Sequence, residues 1–313
     1  MNGFLKSGYL DPGSGAVLYV KATPCENSAP LGSVVIAHGL AETAEYYDEF
    51  ARFLSAAGYG VVVPELRGHG RTAGDISSPD YRLRGGRPGP DSLHAMAGDL
   101  AAVARKVKRE TGLPIYLIGH SMGSIAAQLC LMRSPGLFAG AALSGLPDPS
   151  EAPGLLETID DEIKRNGPDA DCHDTFLAMF GKVNNPFHPV RTAFDWITSD
   201  QQMADYSASL PNSAVLFCNS FYRDFLLAML ETRQEKSWSA ADKSMPMLLL
   251  SGGDDVISVK GKSLTSLAEL LVSAGFDNIG MRIYPGLRHS ILREKKRKTV
   301  FFDILRWFEC CEA

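Results

Sequence analysis

The chain has 313 residues, 45% of them apolar and 21% charged, with a formal net charge of −5. That balance argues against a disordered, collagen-like or coiled-coil chain, and the length can bury a large core without disulfide or metal staples. It also lacks the basic excess that phosphate-backbone binding requires, so nucleic acid is a poor partner.

The N-terminal MNGFLKSGYLDPGSG has no signal-type apolar core. No run is apolar enough to span a membrane; the richest, 214–230, is interrupted by Asn219, Arg223 and Asp224. Cysteines 25, 130, 172, 218, 310 and 311 form no CxxC pair and no zinc-type spacing with histidine. Free thiols in a reduced compartment follow, and a cytoplasmic location is expected.

Two short runs, 4–9 and 16–20, flank the turn-rich DPGSG and predict a β-hairpin. SVVIAHG (33–39) has the character of a buried strand. Residues 45–57 place Tyr46, Phe50, Phe53, Leu54 and Ala57 on one helical face, with Gly58 as the stop. GYGVVVPEL is a second buried strand. Asp91 is placed to cap a helix carrying Leu93, Met96, Ala97, Leu100, Val103 and Val107, which Gly112 ends. PIYLIGHS predicts a third strand, 125–133 a helix and GAALSG a fourth strand.

From 146 to about 244 the pattern is helical, with no clear buried strand. Alternation resumes with MPMLLLSGG, a helix over 264–274, the strand MRIYPG and a last helix over 299–309. REKKRK (293–298) reads as a solvated entry to that helix. Strand–helix alternation predicts an α/β fold: a mostly parallel central sheet with helices on both faces. An insertion of about 100 residues is too long for an ordinary crossover, so a cap is expected. The division is 1–145 core, 146–244 helical cap, 245–313 core.

Gly119-His120-Ser121-Met122-Gly123 has the form GxSxG, a motif expected by chance about 0.25 times at this composition. Its context is sharper, because it falls where a buried strand passes into a small-residue helix. A nucleophile elbow needs that turn, with the serine exposed and a helix N-terminus behind it. Of seven histidines, His289 follows the last predicted strand and so reaches the sheet edge where Ser121 lies. His120 is expected to diverge from the serine, and His38 and His69 to shape loops. SGGDDVIS brings Asp254 and Asp255 to the same edge, and the residues themselves do not choose between them. The Met122 N–H and an N–H of the loop after the first buried strand, that of Leu40, are the oxyanion donors.

Together these segments resemble the α/β-hydrolase superfamily, and within it the bacterial lysophospholipase and monoacylglycerol lipase branch. AHGLAETAEYYDEF through RGHGRTAG is similar to that branch's HG-x-x-E and RGHG loops, GHSMGS to its elbow and YPGLRHSILRE to its histidine loop. The acid loop SGGDDVIS implies Asp255 as the triad acid, with Val256 standing where the family often has proline. PFHPVRTAFDWITSDQQMADY resembles a segment of the lysophospholipase-type cap. Within it, Arg191 and Asp195 are spaced as a helical ion pair.

The expected activity is that of a serine hydrolase cleaving carboxylic esters, of monoacylglycerol or lysophospholipid type, with catalytic Ser121, Asp255 and His289. A short-chain esterase, amidase, acyltransferase or inactive binding protein are the alternatives. No metal or organic cofactor is called for. The partner is a small-molecule ester or lipid, with at most transient contact to a membrane surface, and the oligomeric state is open. The cap's Phe176, Met179, Phe180, Phe187, Phe194, Trp196, Ile197, Phe217, Phe221, Tyr222, Phe225 and Leu226 could line an acyl slot.

Overall fold

The computed structural model describes residues 6–74, 85–210, 213 and 215–312. Among these residues eight strands form one sheet: β1 (Gly8–Leu10), β2 (Leu18–Thr23), β3 (Gly32–Ala37), β4 (Tyr59–Pro64), β5 (Ile115–His120), β6 (Gly140–Ser144), β7 (Met247–Gly252) and β8 (Ile279–Tyr284). Their order is β1-β2-β4-β3-β5-β6-β7-β8. The hairpin of β1 and β2 joins β4 antiparallel, and every pairing from β4 through β8 is parallel. Residues 4 and 5 of the expected first strand lie outside the described residues.

Strands β3 to β7 are buried at every position, because helices cover both faces and leave no side for water. Alternate residues feed alternate cores. Val34 and Ile36 face helix α1 (Asp48–Ala56), whereas Val35 and Ala37 face the opposite core. After the short α2 (Gly70–Ala73), that opposite core is built on α3 (Ser92–Thr111) and α4 (Met122–Arg133).

Between β6 and β7 lie α5 (Ala152–Asn166), α6 (Asp174–Phe180), α7 (Gln201–Ser209) and α8 (Asn219–Glu231). Helix α8 packs on α5 within the insertion and on α3 outside it. Ile159, Phe221 and Phe225 belong to the same apolar cluster as Leu93, Leu100 and Ile125. The insertion therefore shares its core with one face of the sheet. Helix α9 (Lys262–Ser273) packs on β7 and β8. Helix α10 (Arg297–Glu312) brings Phe301 and Phe308 against α1 and the other sheet face.

Several local expectations change. The first helix opens with a 3-10 turn over Ala44–Tyr47 before the α-helix proper. Helix α4 begins at Met122, three residues earlier than its apolar pattern indicates, since it starts directly at the elbow. Asp91 occupies the N-cap position of α3, but with φ 49° its side chain caps nothing and turns to His94. The carboxylate of Asp224, on α8, instead accepts from the Ser92 N–H at 2.8 Å and its hydroxyl at 3.0 Å.

Arg191 and Asp195 do not share a helix. Asp195 accepts the backbone N–H groups of Arg191 and Thr192, while the Arg191 guanidinium pairs with Asp205. In the basic run, Lys295, Lys296 and Lys298 are exposed, but Arg293 is buried and Arg297 pairs with Glu49 at 2.7 Å. None of the six cysteines is in a disulfide. Among the described residues no helix is long and apolar enough to cross a membrane.

Candidate active site

Strand β5 ends at His120 and α4 begins at Met122, so Ser121 alone makes the turn between them. It does so at φ 53°, ψ −122°, a conformation that costs a non-glycine residue on the order of 1–3 kcal/mol. The surrounding structure holds it there. The Ser121 N–H donates to the Ser144 carbonyl at 2.9 Å, and its own carbonyl accepts from Ser124 N–H and hydroxyl at 2.8 and 2.6 Å. A side chain at position 123 would put its Cβ 2.1 Å from the Ala37 carbonyl oxygen. Glycine is thus required for α4 to approach the end of β3.

His289 lies in the loop after β8 and is almost fully buried. Its Nδ1 is 3.0 Å from Oδ1 of Asp255, which is fully buried after β7. Because the acceptor is a carboxylate, Nδ1 carries the proton and Nε2 is left with its lone pair. Asp255 also accepts the Ile257 N–H at 2.9 Å. Burial pushes its carboxyl up, but the contact with His289 and these hydrogen bonds hold it below the usual carboxylate range. Asp254 takes no part in this contact: it is exposed, and its backbone N–H donates to Leu287.

The loop after β3 is braced from below. His38 donates from Nδ1 to the Gly39 carbonyl at 2.8 Å, and its Nε2 accepts the Leu66 N–H at 2.9 Å. Glu42 accepts the Gly39 N–H at 2.8 Å and the Tyr47 hydroxyl at 2.6 Å. Burial raises the Glu42 carboxyl, yet His120, Tyr47 and Gly39 bring it net below its ordinary value.

His120 points away from Ser121, with ring nitrogens 3.0 Å from the Ser144 hydroxyl and 3.1 Å from that of Ser290. Burial pushes its pKa down to about 4, so it is a neutral ring at neutral pH. Its ring packs against that of His289 at 4.8 Å between centroids. Trp196, from the insertion, packs on the same imidazole at 5.0 Å with planes 34° apart. Neither contact had a signal in the sequence, because both join segments distant along the chain.

Leu40, Ser121, Met122 and His289 border one cavity of about 550 Å3. Of the twelve apolar residues considered for an acyl slot, nine line it, among them Phe180, Trp196, Phe217 and Phe225. Phe187, Phe221 and Leu226 do not, and Phe221 and Leu226 are fully buried core instead. The charged side chains at its wall among the described residues are Glu42, Asp148 and Glu151, with no lysine or arginine.

The sheet, the strained serine turn and the buried Asp–His pair at one edge define an α/β-hydrolase fold. The chain belongs to the serine aminopeptidase S33 family of hydrolases, whose model matches residues 28–296. It is 26% identical over 311 residues to a monoacylglycerol lipase of Mycolicibacterium smegmatis, covering 96% of each chain. It is also 26% identical over 283 residues to human monoglyceride lipase, covering 89% of this chain and 82% of that one. A solved carboxyl esterase from Bacillus coagulans in complex with glycerol shares the fold, with a TM-score of 0.83 at 21% identity over 98% of this chain and 99% of that one.

Proposed function

We propose that the protein is a serine esterase that hydrolyses monoacylglycerols. The observation that carries this reading is the buried His289–Asp255 pair, 3.0 Å apart, bordering the same apolar cavity as the strained Ser121. Ser121 attacks the ester carbonyl as His289 Nε2 takes its proton, and Asp255 holds the imidazole tautomer and stabilises the imidazolium. The Leu40 and Met122 N–H groups receive the oxyanion, each worth about 3 kcal/mol in the transition state. His289 then protonates the leaving alcohol, and water enters by the reverse route to release the acid from the acyl-enzyme. None of these steps draws on a metal or an organic cofactor.

Residues 146–244 serve as the cap, and their aromatic walls take the acyl chain. The head group is uncharged. A head group of net negative charge brought beside Glu42, Asp148 and Glu151, the charged residues described at the wall, is disfavoured by like charge. The two relatives named for monoglycerides support the same choice. The lysophospholipid reading is second, and rests on likeness of the cap segment.

A fluorophosphonate probe tests the nucleophile. Labelling of the wild type and none of Ser121→Ala is expected, and an unlabelled, folded wild type would overturn the reading. An ester panel then tests the head group. Monoacylglycerols should be cleaved at least tenfold faster, by kcat/KM, than the net-anionic lysophosphatidylglycerol of the same acyl length; the reverse preference would favour the second reading.

A further inference from the structure

We propose that Trp196 is a positioning residue for His289, and that the segment 195–199 of the insertion is a structural part of the base. The proposal rests on the esterase reading above and deepens it: the base is competent only while this segment is seated. Three observations carry it.

The first is the stack itself. The indole lies 5.0 Å from the imidazole at 34°, and His120 packs on the same ring at 4.8 Å. With Nδ1 tied to Asp255, the ring plane is held by these two neighbours.

The second is a dense set of ties between 195–199 and the histidine loop. The Ser290 N–H donates to the Ile197 carbonyl at 2.8 Å and the His289 N–H to the Trp196 carbonyl at 3.5 Å. The Arg288 guanidinium donates to the carbonyls of Asp195 and Thr198. The Thr198 hydroxyl donates to the Arg293 carbonyl at 3.1 Å. The buried Glu294 carboxylate accepts from the Ser199 N–H at 2.9 Å and from the Arg288 N–H at 2.8 Å, so one side chain fastens both segments. The loop that carries the base is thus fastened to the insertion as well as to Asp254, Asp255 and His120 of the sheet domain.

The third is that Trp196 also borders the cavity. It packs near Phe180 of α6, and its backbone N–H donates to Oδ1 of Asn184, another wall residue, at 2.8 Å. The side chain that supports the base is therefore also one that an acyl chain entering the slot would touch.

The chemistry gives the stack a direction. His289 is neutral before attack and cationic in the transition state, and an aromatic face favours the cation. The charged or titratable groups around the imidazole are Asp255, His120 and, 3.9 Å beyond His120, Glu42, with Arg293 acting on those two from further off. Arg288 and Glu294 are turned to the 195–199 segment instead.

The test compares Trp196→Leu and Trp196→Phe with the wild type on p-nitrophenyl acetate, whose acyl group is too short to use the aromatic walls. Trp196→Leu is expected to lose about tenfold in kcat with KM within twofold, and to move the acidic limb of kcat/KM to lower pH, because the imidazolium has lost its aromatic face. Trp196→Phe is expected to stay within threefold of wild type. Should Trp196→Leu fail to fold, Arg288→Gln loosens the same segment without touching the ring, and slower fluorophosphonate labelling is expected. A Trp196→Leu enzyme with unchanged kcat and an unmoved acidic limb, or an Arg288→Gln enzyme labelled at the wild-type rate, would overturn the proposal. A wild type that neither labels nor cleaves esters would remove the esterase reading first, and this inference with it.

Discussion

Asp254 and Asp255 are adjacent in the chain and differ in everything that matters for an orienting acid. Asp255 is fully buried, accepts from His289, and is held ionised by that contact, whereas Asp254 is exposed. Asp255→Asn is therefore expected to lose about 10³–10⁴-fold in kcat through the wrong imidazole tautomer. Asp254→Asn should stay near wild type in the same ester assay; equal losses in both would remove the assignment. At this scale the placements of Ser121 and His289 after strand ends were legible, because motif and chain order alone put them there. The acid was narrowed to two by position, and to one by resemblance. Trp196 and His120 were not legible as supports of the base, since a ring stack between distant segments leaves no pattern along the chain.

Helix α3 shows how an element can be read correctly while its fastening is misassigned. Its apolar stripe and its stop at Gly112 follow from the sequence, and the left-handed Gly112 makes the stop. The cap at its start does not come from Asp91 next door but from Asp224, on a helix of the insertion. Replacing Asp224 with alanine is expected to cost about 1 kcal/mol of stability, read as a lower urea midpoint with an unchanged slope. Asp91→Ala should cost less, as its carboxylate makes no cap bond. The strands were legible for a simpler reason. A strand covered on both faces must be apolar at every position, and five of the eight are buried end to end.

Across the whole molecule, the buried histidines link stability to pH. Burial pushes His120 from an ordinary 6.5 to about 4, and pushes His38 and His69 down as well. Below about pH 6.5 the unfolded chain takes up protons that the folded chain refuses, so the folded state loses ground as pH falls. For His120 alone the loss reaches about 3 kcal/mol once pH drops to its folded value, at about 1.4 kcal/mol per pKa unit. Asp255 and Glu42, depressed in the folded state, add their own loss further into acid. The urea midpoint should fall steadily from pH 7 to pH 4.5, and less steeply in His120→Asn; a flat wild-type profile would contradict the burial of these rings.

By itself the sequence determined the alternating α/β architecture, the elbow with Ser121, the histidine loop and the presence of a long helical insertion. These depend on local periodicity, on glycines demanded by a tight turn, and on strand ends converging at one edge of a parallel sheet. Only the tertiary structure decided that Asp224 fastens α3, and that the insertion shares the sheet's apolar core and lays Trp196 on the imidazole. Those are contacts between residues far apart in the chain, set by how burial and hydrogen-bond satisfaction are met together, and no local pattern encodes them.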